Sequence, residues 1–94
     1  MPPERPRWEV FIDRRVERDL RNLPQHVTTS FLRALDALAK DPTTSRSGHD
    51  VKKLHGLPGD SYRLRIGDYR VLFTIEKTGR FVRVTSVRHR RQAY

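Results

Sequence analysis

Hydrophobic residues between Pro24 and Lys40 recur at the three- and four-residue spacing of one helix face. They are Val27, Phe31, Ala34, Leu35 and Leu38. This pattern predicts an amphipathic helix that has Pro24 in its first turn and ends near Lys40.

The chain on either side of this helix predicts a strand, a shorter helix and a loop. Residues 8–12 combine aromatic and β-branched side chains, which is typical of a strand. Asp13 is a suitable N-cap for a helix from Arg14 to about Asn22. Residues 41–50 are polar and contain Pro and Gly, as loops do. The two helices are expected to form an antiparallel hairpin.

From residue 60 onward the apolar period changes to two, which predicts three strands joined by short turns. The strands are Tyr62–Ile66, Tyr69–Ile75 and Phe81 to about Val87, with turns at Gly67-Asp68 and Lys77–Gly79. The phase of the last strand stays open, because Val82 and Val84 point to one face while Phe81 and Val87 point to the other.

The element order β-α-α-β-β-β predicts an α+β fold. An N-terminal strand and an antiparallel helical hairpin would pack on a small twisted antiparallel sheet. The chain has 94 residues, which suits one domain over residues 1–94 with a single small core. Residues 1–7 are expected to be flexible.

Three arginines are expected to share one face of the sheet. If Gly67-Asp68 is a two-residue hairpin loop, Arg65 lies opposite Arg70, and Arg63 is on the same side. Like charges that face each other destabilise a sheet, and three arginines without an acid between them need a reason. A bound anion such as phosphate supplies one. The alternative is a solvated strand face whose arginines splay into water.

The distribution of charge favours an anionic partner. Lys and Arg number 20 against 11 Asp and Glu, a net charge of +9. Residues 1–50 contribute +1 and residues 51–94 contribute +8, so the excess lies almost entirely in the second half. Nucleic acid is the favoured class of partner. Further candidate contacts to RNA are Lys52, Lys53, Arg88 and Arg91.

Several absences narrow the chemistry. The chain has no cysteine, no carboxylate cluster for Mg²⁺ and no His/Cys spacing for zinc, so no metal or cofactor is expected. No apolar stretch is long enough for a membrane span, and the cytoplasm is the expected compartment. Phosphodiester cleavage would then use the 2′-hydroxyl of RNA, a base for that hydroxyl and cations over the phosphate. His89, within the basic run at 88–91, is a candidate base.

Three segments together resemble the RelE/ParE toxin superfamily, and more closely its RelE branch of ribosome-dependent mRNA interferases. They are KLHG at 53–56, YRLRIGDYRVLF at 62–73 and VRHRRQAY at 87–94. The resemblance covers roughly residues 8–94. It implies a type II toxin that cuts mRNA on the ribosome through 2′-hydroxyl attack, leaves a cyclic phosphate and forms a hetero-oligomer with a cognate antitoxin.

The same resemblance assigns roles by motif. Arg63 and Arg65 match two strand cations, Arg70 matches the phosphate-gripping arginine, and Arg90 matches a C-terminal arginine. Tyr94 matches the C-terminal tyrosine proposed as base in some members. The segment after Arg90 is shorter than in well-known members, so His89 stays a second candidate base.

Two other functions remain open from the sequence. One is a ParE-type toxin of the same fold that inhibits DNA gyrase and cuts nothing. The other is a non-catalytic module that binds RNA or the ribosome. The arginines at positions 63, 65, 70 and 90 favour the nuclease over the gyrase inhibitor.

Overall fold

A computed structural model describes residues 8–43, 50–57 and 59–92. The helices are α1 (Arg14–Leu20) and α2 (Gln25–Lys40). The strands are β1 (Glu9–Ile12), β2 (Asp50–Lys53), β3 (Ser61–Ile66), β4 (Tyr69–Glu76) and β5 (Phe81–His89), and a 3₁₀ turn (Arg90–Gln92) follows β5. Neither helix is both long and apolar enough to cross a membrane, within the residues described.

The strands form one sheet in the order β1-β5-β4-β3-β2. Both helices contribute to a core on one face of this sheet, so the predicted α+β class is confirmed. We call the other side the open face. The sheet is mixed rather than wholly antiparallel, because β1 runs parallel to β5. The chain leaves β1 through the helical hairpin and returns to it only with its last strand, and such a crossover permits a parallel pair.

Strand β2 was not predicted, and the predicted loop therefore ends before Asp50. This strand has four residues, of which only Val51 is buried. Its pattern is too short to stand out from a polar loop. Antiparallel pairing with β3 defines it, from Asp50 opposite Arg65 to Lys53 opposite Tyr62.

The two helices follow the predicted pattern closely. Asp13 caps α1, and its carboxylate accepts a hydrogen bond from the backbone N–H of Arg15 at 3.3 Å. Pro24 occupies the N-cap of α2, one position before the first helical residue, instead of the first turn. The predicted apolar face is turned to the core: four of its residues are buried and Leu35 is partly buried.

The β3–β4 hairpin has the predicted two-residue loop. Gly67 has a φ of +55°, in the left-handed region that glycine enters without strain. Ile66 pairs with Tyr69 and Arg65 pairs with Arg70, as the loop length requires. The pairing puts the alternating apolar side chains of both strands on the helix side.

A β-bulge resolves the phase of the last strand. Phe73 pairs with Val84, whereas the preceding Leu72 pairs with Ser86, so β5 carries one extra residue at this point. The extra residue reverses the alternation. Val84 and Val87 therefore both point into the core, although their spacing in the sequence is odd.

Candidate functional site

A row of three arginines crosses the open face of the sheet. Arg65 on β3 pairs with Arg70 on β4, and Arg70 pairs with Arg88 on β5. Residues directly opposite in antiparallel strands project to the same side, so the three guanidinium groups leave the same face. Arg65 and Arg88 are exposed and Arg70 is half-buried. The predicted pairing of Arg65 with Arg70 is confirmed.

Two of these arginines line a pocket with a third from the C-terminal segment. The pocket has a volume of about 220 Å³ and is lined by Arg65, Arg70, Arg90, Gly67 and Asp68. The backbone N–H of Arg90 donates to the carbonyl of Asp68 at 2.7 Å, which holds the 3₁₀ turn against the hairpin. We call this site the arginine pocket.

The arginine pocket contains one carboxylate. Oδ1 of Asp68 lies 3.7 Å from Nη1 of Arg90, and both side chains are 61% exposed. Asp68 pairs with Arg90, so a different acid overturns the expectation that none lies among Arg63, Arg65 and Arg70: Asp50 lies opposite Arg65 and pairs with Arg63. Three guanidinium groups still outnumber one carboxylate, so the lining is cationic. Its size and charge suit a phosphate group, which arginine binds through paired N–H donors.

Arg63 is the clearest departure from the predicted cluster. Its Nη1 donates to Oδ2 of Asp50 at 3.5 Å, and its side chain is only 12% exposed. Asp50 belongs to β2, so the sequence pattern hid this partner. The pairing satisfies the charge of Arg63 within the sheet, and Arg63 is not among the residues that line the arginine pocket.

His89 lies on the helix side of the sheet. Its ring packs edge-on against Tyr69, with ring centroids 5.1 Å apart, and its Nδ1 accepts a hydrogen bond from the N–H of Arg91 at 3.2 Å. Both rings line a separate pocket of about 560 Å³ beside Asp19 and Asn22 near the end of α1. The structure therefore does not bring His89 into the arginine pocket. Tyr94 lies outside the described residues.

The other predicted RNA contacts fall into two groups. Lys52 projects from the open face, since it pairs with Arg63, and Nε of Arg88 on the same face donates to Oγ of Ser86 at 3.2 Å. Lys53 points the opposite way and lies 3.6 Å from Asp60. Arg91 is exposed.

Sequence reasoning missed the roles of Asp50 and Asp68. Asp68 was recognisable, because a residue in the loop between two facing arginines must lie close to them. Asp50 offered no such signal without its strand. Within the described ranges, no group of three or more potential metal-binding side chains occurs.

Comparisons with known proteins agree with this architecture. The family model described as "ParE toxin of type II toxin-antitoxin system, parDE" matches residues 10–94. A candidate RelE1 toxin of Methanocaldococcus jannaschii is 30% identical over 88 residues, which cover 94% of this chain and 96% of the relative.

Solved structures give the same result. A chain of the archaeal RelE–RelB complex from Pyrococcus horikoshii has a TM-score of 0.79 and 32% identity, over 92% of this chain and 98% of that chain. The isolated RelE toxin of E. coli has a TM-score of 0.71 at 23% identity, over 87% and 83%, and supports the fold. With the family match over nearly its whole length, the chain belongs to the RelE/ParE superfamily of toxins from type II toxin–antitoxin systems.

Proposed function

We propose that this toxin is a metal-independent, ribosome-dependent endoribonuclease that cuts mRNA in the cytoplasm. The observation that carries the proposal is the arginine pocket, where Arg65, Arg70 and Arg90 surround a space of about 220 Å³ on the open face. Similarity to RelE proteins at 30% and 32% identity supports the same activity.

The proposed reaction breaks one phosphodiester bond. A base removes the proton of the 2′-hydroxyl, and the resulting oxygen attacks the adjacent phosphorus. The bond to the 5′-oxygen breaks, that oxygen takes up a proton, and a 2′,3′-cyclic phosphate remains. Negative charge accumulates on the phosphate oxygens in the transition state, where the three guanidinium groups of the arginine pocket stabilise it. The route requires RNA, since DNA has no 2′-hydroxyl.

The arginines do not all have the same role in this proposal. Arg70, half-buried in the middle of the row, grips the phosphate, and Arg65 and Arg90 close around it. Arg63 is paired with Asp50 on the same face and stabilises the pairing of β2 with β3. Of the two candidate bases, His89 is engaged with Tyr69 on the helix side. We therefore assign the base to Tyr94, which matches the family's C-terminal tyrosine.

A cognate antitoxin is the proposed resting partner. Solved chains similar to this one come from toxin–antitoxin complexes, including those of Pyrococcus horikoshii and Mycobacterium tuberculosis. An acidic antitoxin segment placed over the arginine pocket would compete with mRNA for the same cations, and the two proteins would form a hetero-oligomer.

The test is to add the purified toxin to a translation extract and to map the 5′ ends of ribosome-bound mRNA. The wild-type protein should produce new ends. Arg70→Ala should abolish them and keep most of its ribosome affinity, whereas Arg33→Ala, an exposed arginine on α2, should cut normally. Uncut message with translation still blocked would indicate a non-catalytic binding module.

The second candidate is inhibition of DNA gyrase, because the family model that matches residues 10–94 describes ParE toxins. A gyrase inhibitor would stop DNA supercoiling by purified gyrase and leave mRNA intact. A supercoiling assay with the same protein preparation separates the two functions. Inhibition that persists in Arg70→Ala would count against the nuclease.

A further inference from the structure

The open face carries an aromatic patch at the end of the sheet away from the arginine pocket. Phe11 on β1 and Phe81 on β5 pack edge-to-face with ring centroids 5.6 Å apart. Phe11 is 44% exposed, a large fraction for a phenylalanine in a sheet. The guanidinium of Arg83, which pairs with Phe11 in the parallel ladder, lies 5.9 Å from the Phe11 ring centroid. We call these three residues the aromatic patch.

The aromatic patch and the arginine pocket share one continuous surface. Arg83 and Arg88 both leave the open face of β5, on either side of the bulge. At the rise of a strand, about 3.3 Å per residue, they lie about 15 Å apart, and Arg70 of the arginine pocket lies opposite Arg88, about 5 Å further across the sheet. That distance corresponds to a few nucleotides of extended chain.

The residues between the two sites are compatible with a polar ligand. Thr74 lies opposite Arg83 and Leu72 lies opposite Ser86, and apart from Leu72 the described apolar side chains of this face are Phe11 and Phe81. An amphipathic protein segment needs a wider apolar surface than this, because burial of the surrounding arginines would cost more than so few apolar contacts return. A single nucleic-acid strand alternates charge and flat apolar surface, as this face does.

We propose that the aromatic patch stacks a base of single-stranded RNA whose phosphate occupies the arginine pocket. The inference deepens the proposed function and rests on it: it adds a second anchor that positions the message. Phe11 is 44% exposed and Phe81 packs against it edge-to-face. The Arg83 guanidinium lies over the Phe11 ring and offers a second flat surface to a bound base. Stacking on aromatic and arginine planes is how single-stranded RNA is commonly held.

Phe81 is itself held in place by the turn before it. A β-carbon added at Gly79 would lie 3.0 Å from a ring carbon of Phe81. The Phe81 ring therefore packs directly against this turn, where a residue larger than glycine would displace it.

The experiment compares RNA affinities by fluorescence anisotropy, with short 2′-O-methyl RNA oligonucleotides that cannot be cut. One oligonucleotide carries all its bases and a second is abasic on one side of its centre. Phe11→Leu keeps the bulk but removes the ring. It should weaken binding of the first oligonucleotide at least about fivefold and leave the second unchanged. Phe11→Trp should retain affinity. The fluorescence of the introduced tryptophan should be quenched by the oligonucleotide that carries all its bases.

Leu32→Ala is the matched control, since Leu32 is an exposed apolar residue of α2, at 58%. The proposal would be overturned if the wild type bound both oligonucleotides equally, whichever side of the centre lacks bases. Full affinity of Phe11→Leu for the oligonucleotide with all its bases would also overturn it. So would a Phe11→Leu protein that binds RNA normally but no longer co-purifies with its co-expressed antitoxin, because the patch would then serve a protein partner. If, in these cases, the wild type cuts mRNA and Arg70→Ala does not, the proposed nuclease activity is retained and only the role of the aromatic patch is rejected. If the wild type cuts no mRNA, the proposed nuclease activity is itself rejected.

Discussion

Asp50 on β2 accepts a hydrogen bond from Arg63 on β3, with 3.5 Å between Oδ2 and Nη1. The two residues are diagonal neighbours on the open face, since Asp50 lies directly opposite Arg65. The carboxylate therefore stands at the end of the arginine row, next to Arg65. Asp50 thus engages Arg63 in an ion pair within the sheet, whereas Arg65, Arg70 and Arg90 line the arginine pocket.

The first prediction concerns this pair. Asp50→Asn should lower the free energy of unfolding by about 1 kcal/mol, because Arg63 is 12% exposed and loses its charged partner. Urea unfolding followed by circular dichroism measures the change. Asp36→Asn is the control, since Asp36 forms an exposed i,i+4 pair with Lys40 and should cost less than about 0.5 kcal/mol. Equal losses in the two variants would mean that Asp50 does no more than an ordinary surface acid.

The second prediction concerns the salt dependence of RNA binding. Each phosphate contact to single-stranded RNA contributes about 0.7 to the slope of log affinity against log salt. Arg65→Ala, Arg70→Ala and Arg90→Ala should therefore each reduce the slope by roughly that amount. Affinities of an uncleavable RNA at several salt concentrations provide the measurement, and Arg33→Ala should leave the slope unchanged. An unaltered slope in the pocket variants would contradict phosphate binding there.

The third prediction concerns Asp68, the carboxylate of the arginine pocket. Asp68→Asn removes a negative charge that competes with phosphate for Arg90, so RNA affinity at low salt should rise severalfold. Stability should change little, because the pair is 61% exposed on both sides and the N–H of Arg90 bonds to the backbone carbonyl of residue 68 in either variant. Anisotropy with an uncleavable RNA tests this. Weaker binding would show that Asp68 positions Arg90 instead.

The sequence predicted most of the fold, and the reason is visible in particular residues. The apolar residues of α2 and the alternating apolar and polar residues of β3 and β4 extend far enough to define a helical and a strand period. The two-residue Gly67-Asp68 loop then sets the pairing of Arg65 with Arg70. The missed strand β2 has a single buried apolar residue, so only its pairing with β3 defines it. The bulge at residues 84–86 depends on the partner strand and is invisible in a local alternation.

The candidate site divides in the same way. Arg65 and Arg70 follow from one hairpin, so local pattern was sufficient to bring them together. Arg90 is placed at the pocket by a backbone hydrogen bond to Asp68. Arg63 does not line the pocket and instead pairs with Asp50 of β2, the strand that was not predicted. His89 follows Arg88 directly, and the alternation of β5 sends it to the other face. Long-range pairing, rather than residue type, decides which charges meet.

The fourth prediction separates His89 from the chemistry. His89→Phe keeps a ring against Tyr69 and removes the group that could move a proton. If His89 only packs there, cleavage in the translation extract should stay near the wild-type rate with an unchanged pH profile. General acid–base catalysis by His89 would instead show as a loss of about 100-fold or more and the loss of one limb of the profile. Tyr69→Phe, which leaves the ring contact intact, is the companion control.

The last prediction tests the helical core with one substitution made at two positions of α2. Leu38 is 1% exposed and packs in the core, whereas Leu32 is 58% exposed on the same helix. Leu38→Ala should cost about 2–5 kcal/mol, since it removes buried methyl groups and leaves a cavity. Leu32→Ala should change stability by less than about 0.5 kcal/mol, because Leu32 is mostly exposed and alanine has the higher helix propensity. Urea unfolding measures both, and similar costs would mean that α2 does not present this face to the sheet.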